Sequence, residues 1–134
     1  MIKTEISLRV RYAETDQMGY VYYGHYAQYF EVARVEMLRT LGFSYKKLEE
    51  EGVILPVLEY SIKYIRPAYY DNLLTIITEI RKLPNTRIHF QYETFNEKNE
   101  LLNKAETTLV FVNKSTGRPT SVPDHLSEAF KKYF

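Results

Sequence analysis

The chain has 134 residues, enough for one domain that buries its own core without disulfide or metal staples. Its 18 Lys and Arg stand against 17 Asp and Glu, a net charge of +1, so there is no broad electrostatic case for nucleic acid or an anionic membrane as partner, and any anionic ligand has to be held by local positive groups. The absence of cysteine removes disulfides, thiolate metal sites and a thiol nucleophile together.

Hydrophobic residues make up 45% and charged residues 26%, the balance of a soluble globular chain. The first residues, Met1 to Ile6, contain no apolar leader. The longest apolar runs are about as long as Val53 to Leu58, far short of the roughly 20 residues a membrane span needs. A cytoplasmic protein is expected.

Residues 6–14 read as a strand, with Ile6, Leu8, Val10 and Tyr12 alternating against Ser7, Arg9 and Arg11. A turn follows at Asp16 to Gly19. The strongest helix comes next: Tyr26, Tyr29, Phe30, Ala33, Met37 and Leu41 share one face, with Gln28 and Arg39 opposite, and Gly42 stops it. Ser44 caps a short second helix that reaches Glu51 and ends at Gly52. Four alternating strands then follow: Leu58, Tyr60, Ile62 and Tyr64; Leu74, Ile76, Thr78 and Ile80; Ile88, Phe90, Tyr92 and Thr94; and Ala105, Thr107, Leu109 and Phe111. Arg66-Pro67, Pro84-Asn85 and Asn96 to Asn99 separate them. A short helix closes the chain from Asp124 to Phe134.

One strand, one long helix and four more strands make an α+β protein. A lone apolar helix has to be covered, and an antiparallel sheet has one face to bury. A curved sheet wrapped around the helix satisfies both needs, although other α+β folds fit the same pattern.

The chemistry has few candidates. There is no nucleophile elbow, no Walker loop and no dinucleotide fingerprint. His25, His89 and His125 are far apart, without metal-ligand spacing, so no metal and no cofactor is expected. Of three aspartates, Asp16, Asp71 and Asp124, the first sits between a strand and the long helix. With Gly19 at i+3 it fits a plain type I turn, which for an isolated Asp is the simpler reading. Its setting adds more. Gly19 and Gly24 bracket Tyr20 to Tyr23 just ahead of a helix whose free N–H groups and positive dipole end suit an oxyanion. A carboxylate beside an oxyanion hole is the minimum equipment for acyl transfer. Nine of the 13 tyrosines cluster, at Tyr20, Tyr22, Tyr23, Tyr26 and Tyr29 and at Tyr60, Tyr64, Tyr69 and Tyr70; such phenols suit a half-wet pocket or a subunit interface as well as an ordinary core.

Residues 9–34 carry Arg9-Val10, Tyr12, Thr15-Asp16, Gly19, Val21, Tyr26 and Glu31-x-Ala33-Arg34. Together with the segment from Tyr64 to Asp71 and with Val110 to Val112, this resembles the 4-hydroxybenzoyl-CoA thioesterase family of hotdog-fold acyl-CoA thioesterases, including its Tol–Pal-associated branch. The likeness runs over nearly the whole chain. It implies one hotdog thioesterase domain over 1–134: an antiparallel five-stranded sheet wrapped around one long helix. It implies hydrolysis of an acyl-CoA, with Asp16 as nucleophile or general base and the backbone N–H near Tyr23 as oxyanion donor. The family pattern also implies an active site between two subunits of a homodimer or dimer of dimers. The sequence departs from the family at Tyr20, Tyr23 and His25, which bears on the acyl preference.

Val21, Tyr22 and His25 are expected to touch substrate; Arg66 and Arg87 suit coenzyme A phosphates, since Arg forks onto phosphate in two bonds. Two rival readings remain from other classes. A hotdog hydratase or dehydratase needs a positioned imidazole, for which His25 is the candidate. A non-catalytic acyl-ligand binding module would keep the pocket without turnover.

Overall fold

A computed structural model describes residues 1–134. Strand β1 (Ile2–Arg9) leads through a 3₁₀ turn at Tyr12–Glu14 to helix α1 (His25–Thr40) and the short helix α2 (Tyr45–Glu50). Then come β2 (Val53–Ile54), β3 (Val57–Tyr64), β4 (Leu73–Ile80), β5 (Arg87–Phe95), β6 (Leu101–Val110), β7 (Val112–Asn113) and α3 (Asp124–Lys131). Five strands form one antiparallel sheet in the order β1-β4-β5-β6-β3, and β2 pairs with β7 apart from it. This is the expected hotdog arrangement.

Periodicity explains most of it. In β4 the buried residues are Leu74, Ile76, Thr78 and Ile80; in β5 they are Ile88, Phe90, Tyr92 and Thr94. Both sets match the alternation in the sequence. Against them α1 buries Tyr26, Tyr29, Phe30, Ala33 and Met37. Phe30 stacks on Tyr92 with ring centroids 4.5 Å apart, a contact worth about 0.5–1.5 kcal/mol beyond its buried area. After α1, Gly42 takes φ +86°, a conformation glycine adopts without strain, while Phe43 N–H returns to the Leu38 carbonyl. Ser44 caps α2 by accepting the Lys47 N–H at 3.1 Å.

The first strand differs from expectation. It starts at Ile2 and stops at Arg9, and Tyr12, expected inward, is 77% exposed. The cause is local. The Glu14 carboxylate accepts the Arg11 N–H at 2.8 Å, and the Glu14 N–H donates to the Arg11 carbonyl at 3.0 Å. That pair closes a 3₁₀ turn and breaks the two-residue period.

The outer face of the sheet is polar and laced with ion pairs such as Arg81–Glu79 at 2.8 Å and Lys104–Glu93 at 4.0 Å. Strand β3 is an uncovered edge. It pairs with β6 on one side only, and Val57, Leu58, Tyr60 and Tyr64 along it are exposed. No helix is long and apolar enough to cross a membrane.

Candidate active site

The loop between the 3₁₀ turn and α1 folds into a miniature hairpin. Thr15 bridges Val21, Asp16 N–H donates to the Tyr20 carbonyl at 3.0 Å, and Gly19 N–H donates to the Asp16 carbonyl at 2.9 Å. Gly19 has φ +88°, so a residue without a Cβ fits that corner best. Asp16 Oδ1 accepts the Met18 N–H at 2.8 Å. Its other oxygen, Oδ2, makes no hydrogen bond within the chain. The turn expected from Asp16 and Gly19 is therefore present, and it leaves half of the carboxylate free.

The hairpin is tied down on both sides. Val21 N–H donates to the Ala68 carbonyl, and Tyr22 N–H donates to the Glu14 carbonyl, each at 2.9 Å. His25 N–H donates to the Tyr22 carbonyl at 2.9 Å. Between these two anchors, the N–H groups of Tyr23 and Gly24 donate to no acceptor in the chain. Such unengaged donors at the head of a 16-residue helix mark the positive end of its dipole. A Cβ built on Gly24 would stand 2.8 Å from the Tyr22 ring, so the glycine lets that ring lie over the chain.

A pocket of about 370 Å³ opens here, walled by Asp16, Val21, Tyr23, Tyr26, Tyr64 and Arg66 among others. Tyrosines from the two clusters meet around it. Tyr64 Oη donates to the Tyr23 carbonyl at 3.2 Å, the Tyr26 and Tyr64 rings lie 5.8 Å apart, and Tyr20 meets Tyr69 edge-on at 6.4 Å. Burial pushes the Tyr26 phenol up to about 12, so it stays a neutral hydrogen-bond donor across the physiological range. Arg66 pairs with Glu100 at 3.5 Å and keeps a largely exposed guanidinium at the rim. A larger concavity of about 460 Å³ crosses the outer sheet face among charged side chains such as Lys63, Glu79 and Glu93, away from the helix terminus.

The thioesterase-like superfamily model matches residues 10–130, which includes the hairpin, α1 and every strand of the sheet except β1. The chain belongs to that superfamily. It is a thioester hydrolase, as its relatives are. It is 37% identical over 125 residues to the acyl-CoA thioester hydrolase YbgC of Escherichia coli O6:H1, covering 93% of each chain. It is 32% identical to the acyl-acyl carrier protein thioesterase ATL2 of Arabidopsis thaliana, covering 94% of this chain and 67% of that one. A solved DHNA-CoA thioesterase from Staphylococcus aureus superposes with a TM-score of 0.95 at 36% identity, over 99% of this chain and 91% of that chain.

Within this thioesterase-like chain, Asp16, Val21, Tyr23 and Arg66 share the pocket wall. Tyr22 and His25 are beside it but not in its wall: Tyr22 tilts against Tyr23 at 4.6 Å and meets His25 edge-on at 6.2 Å. The His25 Nδ1 is buried without a partner. Arg87 opens β5, whereas Thr94 marks the pocket end of that strand. Seven residues separate them, roughly 24 Å at about 3.4 Å per residue. Arg87 is thus distant from the pocket of its own subunit.

Sequence reasoning passed over Glu14. This carboxylate is 6% exposed and accepts three bonds, from Arg11 N–H at 2.8 Å, Arg11 Nε at 3.2 Å and Tyr29 Oη at 2.8 Å. Burial works to raise its pKa, but these donors and the Arg11 charge prevail and hold it below the ordinary value. The visible signal was an acid two residues before Asp16, on a stretch where the strand pattern fails.

Proposed function

We propose that the protein hydrolyses the thioester of an acyl-CoA to the free acid and CoA, with Asp16 as the reacting carboxylate and the Tyr23 N–H as oxyanion donor. One observation carries this: a half-free carboxylate and an unengaged N–H at the head of α1 border the same pocket. The thioester carbonyl oxygen takes its hydrogen bond from Tyr23, and the helix dipole stabilises the charge that builds there. Asp16 then attacks the carbonyl carbon to give an anhydride that water opens, or it takes a proton from an attacking water; both routes expel CoA as thiolate, which is then protonated. Single turnover in ¹⁸O-water separates them, because only the anhydride route can place label in the protein. His25 lies outside the pocket wall, which leaves a hydratase without its imidazole. The experiment that tests the activity is thiol release across a panel of acyl-CoAs and acyl carrier protein thioesters; no release from any member overturns the reading.

The functional unit we propose is a homodimer joined along β3. That edge offers unpaired backbone groups and exposed Val57, Leu58, Tyr60 and Tyr64, which a second copy would cover. Antiparallel pairing of two β3 edges would set the Val57 end of one copy beside the Tyr64 end of the other. The β5 end bearing Arg87 would come with it. The partner's Arg87 and this subunit's Arg66 would then flank one pocket, as two sites for coenzyme A phosphates. Sedimentation should give twice the 15.9 kDa chain mass or a multiple of it. Tyr60→Lys, which puts a charge on the edge, should shift the protein toward monomer and lower activity with it. A fully active monomer at micromolar concentration would disprove the arrangement.

A further inference from the structure

One tyrosine hydroxyl at the pocket bonds backbone. Tyr64 Oη donates to the Tyr23 carbonyl at 3.2 Å, across 41 residues of sequence. No backbone N–H donates to that carbonyl. The carbonyl before it is held differently: that of Tyr22 accepts the His25 N–H at 2.9 Å, inside the same turn. Tyr23 therefore stands between two peptide planes, one fixed by its own turn and one fixed only from the sheet.

The support behind Tyr64 is rigid. It is the last residue of β3 and pairs with Asn103 of β6. The next two N–H groups, of Ile65 and Arg66, both donate to the Leu102 carbonyl, at 2.8 and 2.9 Å. Its ring packs on Tyr26 with centroids 5.8 Å apart. Burial raises the pKa of the phenol, so the hydroxyl keeps its proton and stays a donor across the physiological range. The peptide it reaches has little else to hold it. Gly24 opens α1 without a side-chain cap, and Tyr23 is 63% exposed.

We propose that Tyr64 is a positioning residue for the reaction: its hydroxyl holds the Tyr23–Gly24 peptide, and with it the Tyr23 N–H, in the orientation that meets the thioester oxygen. This rests on the reading of Tyr23 as oxyanion donor. Such a donor acts by being in place before charge develops, so a bond that fixes its backbone contributes to kcat rather than to substrate binding. Donation to the Tyr23 carbonyl also polarises that amide, whose N–H belongs to Gly24, and this gives the bond a spectroscopic mark.

The test compares wild-type protein, Tyr64→Phe and Tyr60→Phe. Phe keeps the ring on Tyr26, so fold and edge should survive, and melting curves and sedimentation check both. Tyr60 lies on the same β3 edge, but its hydroxyl bonds nothing in the chain, so its variant controls for the edge itself. Tyr64→Phe should lower kcat by about five- to tenfold on every acyl-CoA that the protein hydrolyses. That is the scale of one net hydrogen bond, well short of the roughly 10²–10³-fold lost with an oxyanion donor itself. KM should stay within about twofold of wild type. The Gly24 amide nitrogen resonance of ¹⁵N-labelled protein should move upfield in Tyr64→Phe and hold in Tyr60→Phe. Unchanged kcat in folded Tyr64→Phe, an equal loss in Tyr60→Phe, a raised KM at native kcat (the hydroxyl then touching substrate) or an unmoved Gly24 resonance would overturn the proposal. If the wild-type protein hydrolyses no thioester, the activity reading falls instead. The Gly24 resonance then decides alone whether Tyr64 holds the peptide, and an unmoved resonance overturns this inference as well.

Discussion

Asp16→Asn should lower turnover at least about a hundredfold, the lower end of the roughly 10²–10⁴-fold that a positioned acid or base contributes. The substitution is chosen because the fold should not notice it. Asn keeps the length and turn preference of Asp, and its Oδ1 can still accept the Met18 N–H that Asp16 now receives at 2.8 Å. What is lost is the free second oxygen, with its charge. An amide neither attacks a thioester nor takes a proton from water at neutral pH. KM should change little, since the pocket wall is the same and only a transition-state contribution is removed. The residual rate would come from Tyr23 and the helix dipole. Asp71→Asn is the matched control. Asp71 sits at φ +67°, where Asn is at home, and its carbonyl accepts Arg9 Nη1 at 2.7 Å, a bond that does not involve its carboxylate. Steady-state kinetics on the best substrate, with melting curves for both variants, decides the matter. Near-native turnover in folded Asp16→Asn would reduce Asp16 to a turn residue.

The inward sets of β4 and β5 could be read directly, since an alternation of two survives wherever neighbouring strands pair on both sides. The Asp16 turn was legible because Asp and Gly three apart have few other reasons to occur together. Residues that carry polarity into the interior were not legible. Arg34 lies on α1 among the buried residues, and helical pattern assigns an Arg to solvent. Its place becomes clear only with the fold: Nε donates to Tyr45 Oη at 3.1 Å, and the Tyr45 and Tyr92 phenols hold its pKa up against burial, which would lower it. Asn103 shares the phase of Ala105, Thr107 and Leu109, so the same alternation extended two residues earlier would have reached it. Arg87 suits phosphate by residue type, but its position along β5 is a three-dimensional fact that spacing does not encode.

Glu14 gives the second large effect, this time on stability. Its carboxylate gathers the Arg11 N–H and guanidinium and the Tyr29 hydroxyl, and so joins the 3₁₀ turn to α1 under the Asp16 loop. Gln matches its shape but has no charge, and the Gln NH₂ would face the Arg11 guanidinium donor to donor. Hydrogen bonds to charged groups contribute about 1.5–3 kcal/mol, so Glu14→Gln should cost about 2 kcal/mol at neutral pH. The melting midpoint should fall by roughly 6 °C for a chain of this size. The pH dependence identifies the cause. The folded pKa of Glu14 is held below its ordinary value of 4.5, so the unfolded chain binds the proton more readily than the folded one. The stabilisation is therefore complete above about pH 4.5 and is lost as pH falls through the lower folded pKa. Wild-type and Glu14→Gln melting curves should differ by a constant amount from pH 7 down to about 5 and converge below 4.5. Because the Tyr22 N–H rests on the Glu14 carbonyl, the same variant should also lose some turnover at temperatures where it is fully folded. A stability gap that stays constant through acid pH would mean that shape, not charge, holds the turn against the helix.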